Sequence, residues 1–186
     1  MSIKLLQTPG GVLLLPDRTS VLLDRADGGN LVVLPPRPVW ERSELDREEL
    51  AQFGYLVAAC GRAMLEVLPQ LAGGIINYWE AGNWALNDDA APAGRKRGDR
   101  FKSVHLHLLG RSPGSTNPNC RWGESPTFPR FADRLTWSAS FQRLTPEECQ
   151  AIVSQASTLL RTKYGVHPAE VHGGERCPTC DYPSLK

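Results

Sequence analysis

An α+β domain is the fold predicted, on three features: short aliphatic runs bounded by glycine and proline, two long stretches with apolar residues recurring at three- and four-residue steps, and one run in which histidine alternates with apolar residues. The 186 residues fit one globule, since a domain usually holds roughly 100 to 200 residues. The expected architecture is an antiparallel sheet with helices packed on it. Residues 1–143 form the main domain, and residues 144–186 add a C-terminal helical extension and a cysteine-containing tail to the same globule.

Residues 12–15 and 21–23 are aliphatic runs separated by Pro16, Asp17 and Arg18, which predicts two strands joined by a turn. Residues 31–34 form a third strand, between Gly28-Gly29 and Pro35-Pro36. Asp46 with Glu49 three residues on is a capping-box pattern. Leu50, Phe53, Val57, Cys60, Met64 and Val67 then supply the stripe of a helix. That stripe is expected to lie on a sheet that also contains residues 74–78 and 104–109.

Residues 87–100 show neither period and read as a loop or a hairpin tip, and the Pro-, Gly-, Ser- and Asn-rich residues 110–130 read as irregular chain. Thr145-Pro146-Glu147-Glu148 supplies a cap, a first-turn proline and acidic residues for a second helix, with Cys149, Ile152, Val153, Ala156, Leu159 and Leu160 as its stripe and Gly165 as its stop.

A formal net charge of +1, with 22% charged and 41% hydrophobic residues, argues against a general nucleic-acid-coating surface, so any charged function is local. No stretch approaches the roughly 20 apolar residues that span a bilayer, and no leader pattern opens the sequence. An odd count of five cysteines fits a reducing compartment, so a cytoplasmic protein is expected.

Side chains alternate across an extended strand, so Ser103, His105 and His107 project to one side while Val104, Leu106 and Leu108 project to the core. One neutral imidazole can attack phosphorus while its neighbour holds a phosphate oxygen or the leaving group, without any metal. The simpler alternatives are a half-buried polar face or a pair of metal ligands.

The run SVHLHLLGR, residues 103–111, resembles the histidine-triad (HIT) signature, in which three histidines alternate with apolar residues and the middle one becomes transiently bonded to a nucleotidyl group. Upstream, GNLVVLPPRPVWERSEL, residues 29–45, is similar to a segment of the fragile-histidine-triad branch, whose members hydrolyse dinucleoside polyphosphates. Leu23-Asp24-Arg25, Asn77 and Glu80-Ala81-Gly82-Asn83 match further family positions in order, over about half of the chain. The resemblance implies a HIT-like antiparallel sheet, with His105 as nucleophile, His107 as phosphate or leaving-group partner, Asp24 as ribose ligand, and Asn77 and Asn83 near the nucleotide. It also implies a nucleotide or nucleotidylated small molecule as partner, and pairing into homodimers.

Ser103 stands where the family has its first histidine, and Asn30 where it has a histidine after glycine. Neither takes up or gives up a proton as an acid or base near neutral pH, so a slow enzyme and a nucleotide-binding protein without efficient turnover are both open. The stretch between Asn83 and Ser103 is longer than the family's; Asp99 has the family spacing to Ser103, and either Asn83 or Asp99 faces the phosphate. Arg95, Lys96, Arg97, Arg100 and Lys102 form a basic run that either steers an anionic substrate or is a solvated loop.

Cys177 and Cys180 have the C-x2-C spacing that grips a structural zinc, with His167, His172, Cys120 or Cys149 to complete a set; an exposed or redox-active thiol pair is the alternative.

Overall fold

A computed structural model describes residues 2–18, 21–80, 104–130 and 133–168. Strands β1 (Ile3–Thr8), β2 (Gly11–Leu15), β3 (Asn30–Leu34), β4 (Ile75–Glu80) and β5 (Leu106–Arg111) form one antiparallel sheet in the order β1-β2-β3-β5-β4. Helices α1 (Arg47–Val67), α2 (Arg134–Ser138) and α3 (Pro146–Tyr164) complete the described elements, with short 3-10 turns at Arg25–Asp27, Arg42–Glu44 and Pro69–Leu71. The fold is therefore α+β, as the periodicities predict.

Both long helices begin as their sequences require. Asp46 accepts from the Glu49 amide while Glu49 accepts from the Asp46 amide, and Thr145 and Glu148 repeat the arrangement at α3. Gly165 ends α3 at φ 66°, a left-handed conformation that glycine adopts without strain.

One face of the sheet and the two long helices enclose the main core, in which Leu13, Leu31, Val33, Leu106 and Leu108 meet Phe53, Leu56, Cys60, Met64, Ile152 and Leu160. Helix α3 is thus part of the core that α1 builds.

Three expectations are corrected. Residues 21–23 form no strand; their side chains are buried, two of them in a cluster with Leu109 and Cys120, and the three-strand meander takes β1 instead. The stripe of α1 is rotated from the one expected: Leu50 is exposed and Val57 and Val67 are half-buried, whereas Leu56, Ala59 and Ala63 are buried. Small alanines let the helix approach its neighbours closely there, which moves the centre of the buried face. The histidine strand begins at Leu106, one residue after His105. No helix among the described residues is long and apolar enough to cross a membrane.

Candidate active site on the histidine face

Residues opposite one another in an antiparallel pair share a face of the sheet. His107 lies opposite Val32 on β3 and Trp79 on β4; Leu109 lies opposite Asn30 and Asn77; Arg111 lies opposite Ile75. Leu106 and Leu108 belong to the main core with Val104, so the histidine face looks away from the long helices. The Val104 N–H donates a hydrogen bond to the Val39 carbonyl at 2.8 Å, which fixes the chain just ahead of His105.

His105 and His107 come together as the alternation predicts: their ring centroids are 5.0 Å apart with planes at 74°, and both residues are buried, at 2% and 6% exposure. Val32 on β3 and the Trp79 ring, 5.4 Å from His107, flank this pair with apolar surface. Low dielectric surroundings strengthen every charge interaction made there.

Asn30 shares the face, one register step from His107. Its Oδ1 accepts from the Leu22 amide at 3.1 Å, and the Leu22 carbonyl in turn accepts from Trp137 Nε1 at 3.1 Å. The buried segment 21–23 is thereby fastened beside the site. Gly28, just upstream, has φ 127°, and a Cβ there would stand 2.4 Å from the Gly110 carbonyl oxygen, so glycine is required where the chain enters β3 against β5.

Asn77 lies across Leu109 from Asn30, and its Oδ1 accepts from Arg111 Nη1 at 3.0 Å. Arg111 is 5% exposed and also donates through Nη2 to the carbonyls of Arg121 and Glu124, at 2.7 and 2.9 Å. Phe128 stacks on Trp79 with centroids 4.4 Å apart. These contacts bring residues 121–128 onto the histidine face.

Asp24 caps the turn at residues 25–27, with Oδ1 accepting from Ala26 N at 2.8 Å and Oδ2 from Gln142 N at 2.7 Å. Its carboxylate joins the turn to the segment ahead of α3, so one hydrogen bond at each oxygen already serves the fold. Next to it Arg25 pairs with Glu148 at 2.8 Å, and Gln70 donates to the same carboxylate at 3.1 Å.

Ser103, Asn83 and Asp99 lie outside the described residues, with the basic run of residues 95–102 and with His172, Cys177 and Cys180. His167 is described and exposed. Cys149 and Cys120, named to complete a metal set, are both buried in apolar clusters. Cys149 is buried in the main core, where desolvation and the neighbouring Glu148 push its thiol up to about 12; Cys120 is packed with Leu22, Leu23 and Leu109, and burial pushes its thiol up as well. Metal ligation needs the thiolate, which such surroundings disfavour. Among the described residues no group of three or more His, Cys, Asp or Glu is placed to hold a metal ion.

Trp79, Phe128 and Arg111 are the site-lining residues that the sequence reading missed. Trp79 and Arg111 were within reach of the two-residue strand period, counted on from Asn77 and from Leu109. Phe128 had no such signal.

No known protein-family profile matches the chain, and a search of curated proteins finds no significant relative.

Proposed function

We propose that the chain is a nucleotide phosphohydrolase or nucleotidyl transferase that acts on a nucleoside phosphoanhydride or phosphoramidate through a nucleotidyl group on His105. The observation that carries this reading is the contact of two buried imidazoles, centroids 5.0 Å apart, on the sheet face away from the two long helices. The resemblance of residues 103–111 and 29–45 to the histidine-triad family supports it.

In this reading a ring nitrogen of His105 attacks the α-phosphorus. A P–N bond forms as the bond to the bridging oxygen, or to the phosphoramidate nitrogen, breaks. The leaving group departs with that electron pair and takes a proton from protonated His107. Water then attacks the same phosphorus and passes its proton to His107, and the P–N electron pair returns to His105. An acceptor such as phosphate in place of water makes the same intermediate a transferase intermediate.

A second reading, a nucleotide-binding protein with weak or no turnover, is favoured by Asn30. Its amide is fixed by the Leu22 amide and is not basic enough to accept a proton near neutral pH, so it cannot act as the base that a histidine would supply.

Hydrolysis of diadenosine polyphosphates and adenosine phosphoramidate, compared between the natural protein and His105→Asn, separates these. Turnover that falls at least about a thousandfold in the variant supports the enzyme. Undiminished hydrolysis by His105→Asn sinks the covalent mechanism. Nucleotide binding without turnover by the natural protein selects the second reading.

A further inference from the structure

Asn30 is 3% exposed, and while its Oδ1 is occupied, its Nδ2 has no hydrogen-bond acceptor in the structure of the described residues. The assignment of the two amide atoms is fixed by chemistry. Turning the amide over would set an NH2 group against the Leu22 N–H, donor against donor. The residue is therefore held as a donor aimed away from Leu22, on the same face as the two histidines.

A second buried donor on that face is in the same condition. Arg111 Nε has no acceptor, and the bonds of Nη1 and Nη2 all go to neutral oxygens, the Asn77 amide and two backbone carbonyls. No carboxylate of the described residues is bonded to this buried guanidinium. Buried donors are normally satisfied, and a buried cation normally has an anion near it. The partner that Asn30 Nδ2 calls for thus offers lone pairs, and the positive charge of Arg111 on the same face favours one that is anionic. A ribose hydroxyl or an adenine ring nitrogen can accept as well, but both are neutral, whereas a phosphoryl oxygen accepts and carries negative charge.

We infer that Asn30 Nδ2 donates a hydrogen bond to a phosphoryl oxygen of a nucleotide seated on the histidine face. This rests on the reading of that face as a nucleotide site. It gives the asparagine a positive role, holding the phosphoryl group on the histidine face one register step from His107, which a position kept only for orientation would not have.

The test uses adenosine 5′-monophosphate and adenosine as probes, by calorimetry, on the natural protein and on Asn30→Asp. Aspartate still accepts from Leu22 N–H but replaces the donor with an anion. Affinity for the monophosphate is expected to fall at least about tenfold in Asn30→Asp, while adenosine affinity stays within about twofold. In the natural protein, the side-chain NH2 signals of Asn30, followed by nitrogen-15 NMR, are expected to move with the monophosphate and not with adenosine. This second measurement decides the matter even where Asn30→Asp does not fold. Monophosphate binding that is indifferent to Asn30→Asp, or Asn30 signals that stay still during it, overturns the inference and leaves the nucleotide site standing. Failure of the natural protein to bind either probe overturns both.

Discussion

His107 and Trp79 face one another across the β4–β5 register with ring centroids 5.4 Å apart and planes inclined by 31°, and the same indole is stacked on Phe128. The segment after β5 therefore reaches the histidines through two ring contacts. Phe128→Ala should release the indole, lower stability by about 1–2 kcal/mol and shift the tryptophan emission. Any turnover should fall with it, mainly in kcat. Thermal unfolding read by fluorescence, with kinetics beside it, checks this; an unchanged emission maximum would mean that Trp79 is held by other contacts.

Gly28→Ala should be among the most damaging single-methyl changes in the chain. It combines φ 127° with a Cβ placed 2.4 Å from the Gly110 carbonyl oxygen. The backbone strain alone is about 1–3 kcal/mol, and displacing β5 adds to it. Urea denaturation is expected to show a loss of about 3 kcal/mol or more.

Cys60 and Cys149 should resist alkylation at pH 8 until the protein unfolds, because burial pushes both thiols up to about 12. Their folded-state values lie above the ordinary value of 9.0, so this contribution to stability is complete below pH 9 and is lost as pH rises toward 12. Iodoacetamide labelling followed by mass spectrometry, in buffer and in urea, measures the contrast. Fast labelling of either thiol in buffer would contradict their burial.

The Glu148 carboxyl lies below the ordinary value of 4.5: burial pushes it up, but the bonds from Arg25, the Thr145 amide and Gln70, with the Arg25 charge, pull it further down. A lowered value means that the stabilisation is present above pH 4.5 and is lost as pH falls below it. Glu148→Gln should cost about 0.5–1 kcal/mol at pH 7, modest because Arg25 is substantially exposed. It should also flatten the acid limb of a stability profile taken from pH 7 to 3. An equally steep limb in the variant would assign that limb to other carboxylates.

Placing histidine at both Asn30 and Ser103 should raise any rate the natural protein shows, by about tenfold or more, since it supplies the titratable groups that the family pattern has at both positions. A histidine at position 30 can keep the Leu22 bond through Nδ1 and still donate through Nε2. Steady-state kinetics of the double variant decide it, and no gain removes proton relay as the reason for slow turnover.

Much of this architecture was legible because its signals are local. Asp46 with Glu49, Thr145 with Glu148, and Gly165 mark helix ends through bonds made within one turn. Strand β1 escaped because Lys4 and Gln7 dilute its apolar character, although Thr8-Pro9-Gly10-Gly11 announces the turn that follows it. Residues 21–23 misled in the opposite direction: an aliphatic run reports burial, and here the burial is that of irregular chain packed on Leu109. At the site, the pairing of His105 with His107 follows from a two-residue period, which needs no knowledge of other strands. The bonds Leu22 to Asn30 and Arg111 to Asn77 join segments that only the folded sheet brings together, so nothing local in the chain discloses them.

Because β5 lies between β3 and β4, alternate positions along three adjacent strands answer to different demands. Residues 106 and 108, with their partners 31, 33, 78 and 80, look toward the helices; residues 107 and 109, with 30, 32, 77 and 79, do not. Substitutions in that second set would disturb the contacts of Asn30, Asn77 and Trp79 on the histidine face while leaving the main core untouched, whereas inserting one residue inside β3 would turn every later residue of that strand to the opposite face.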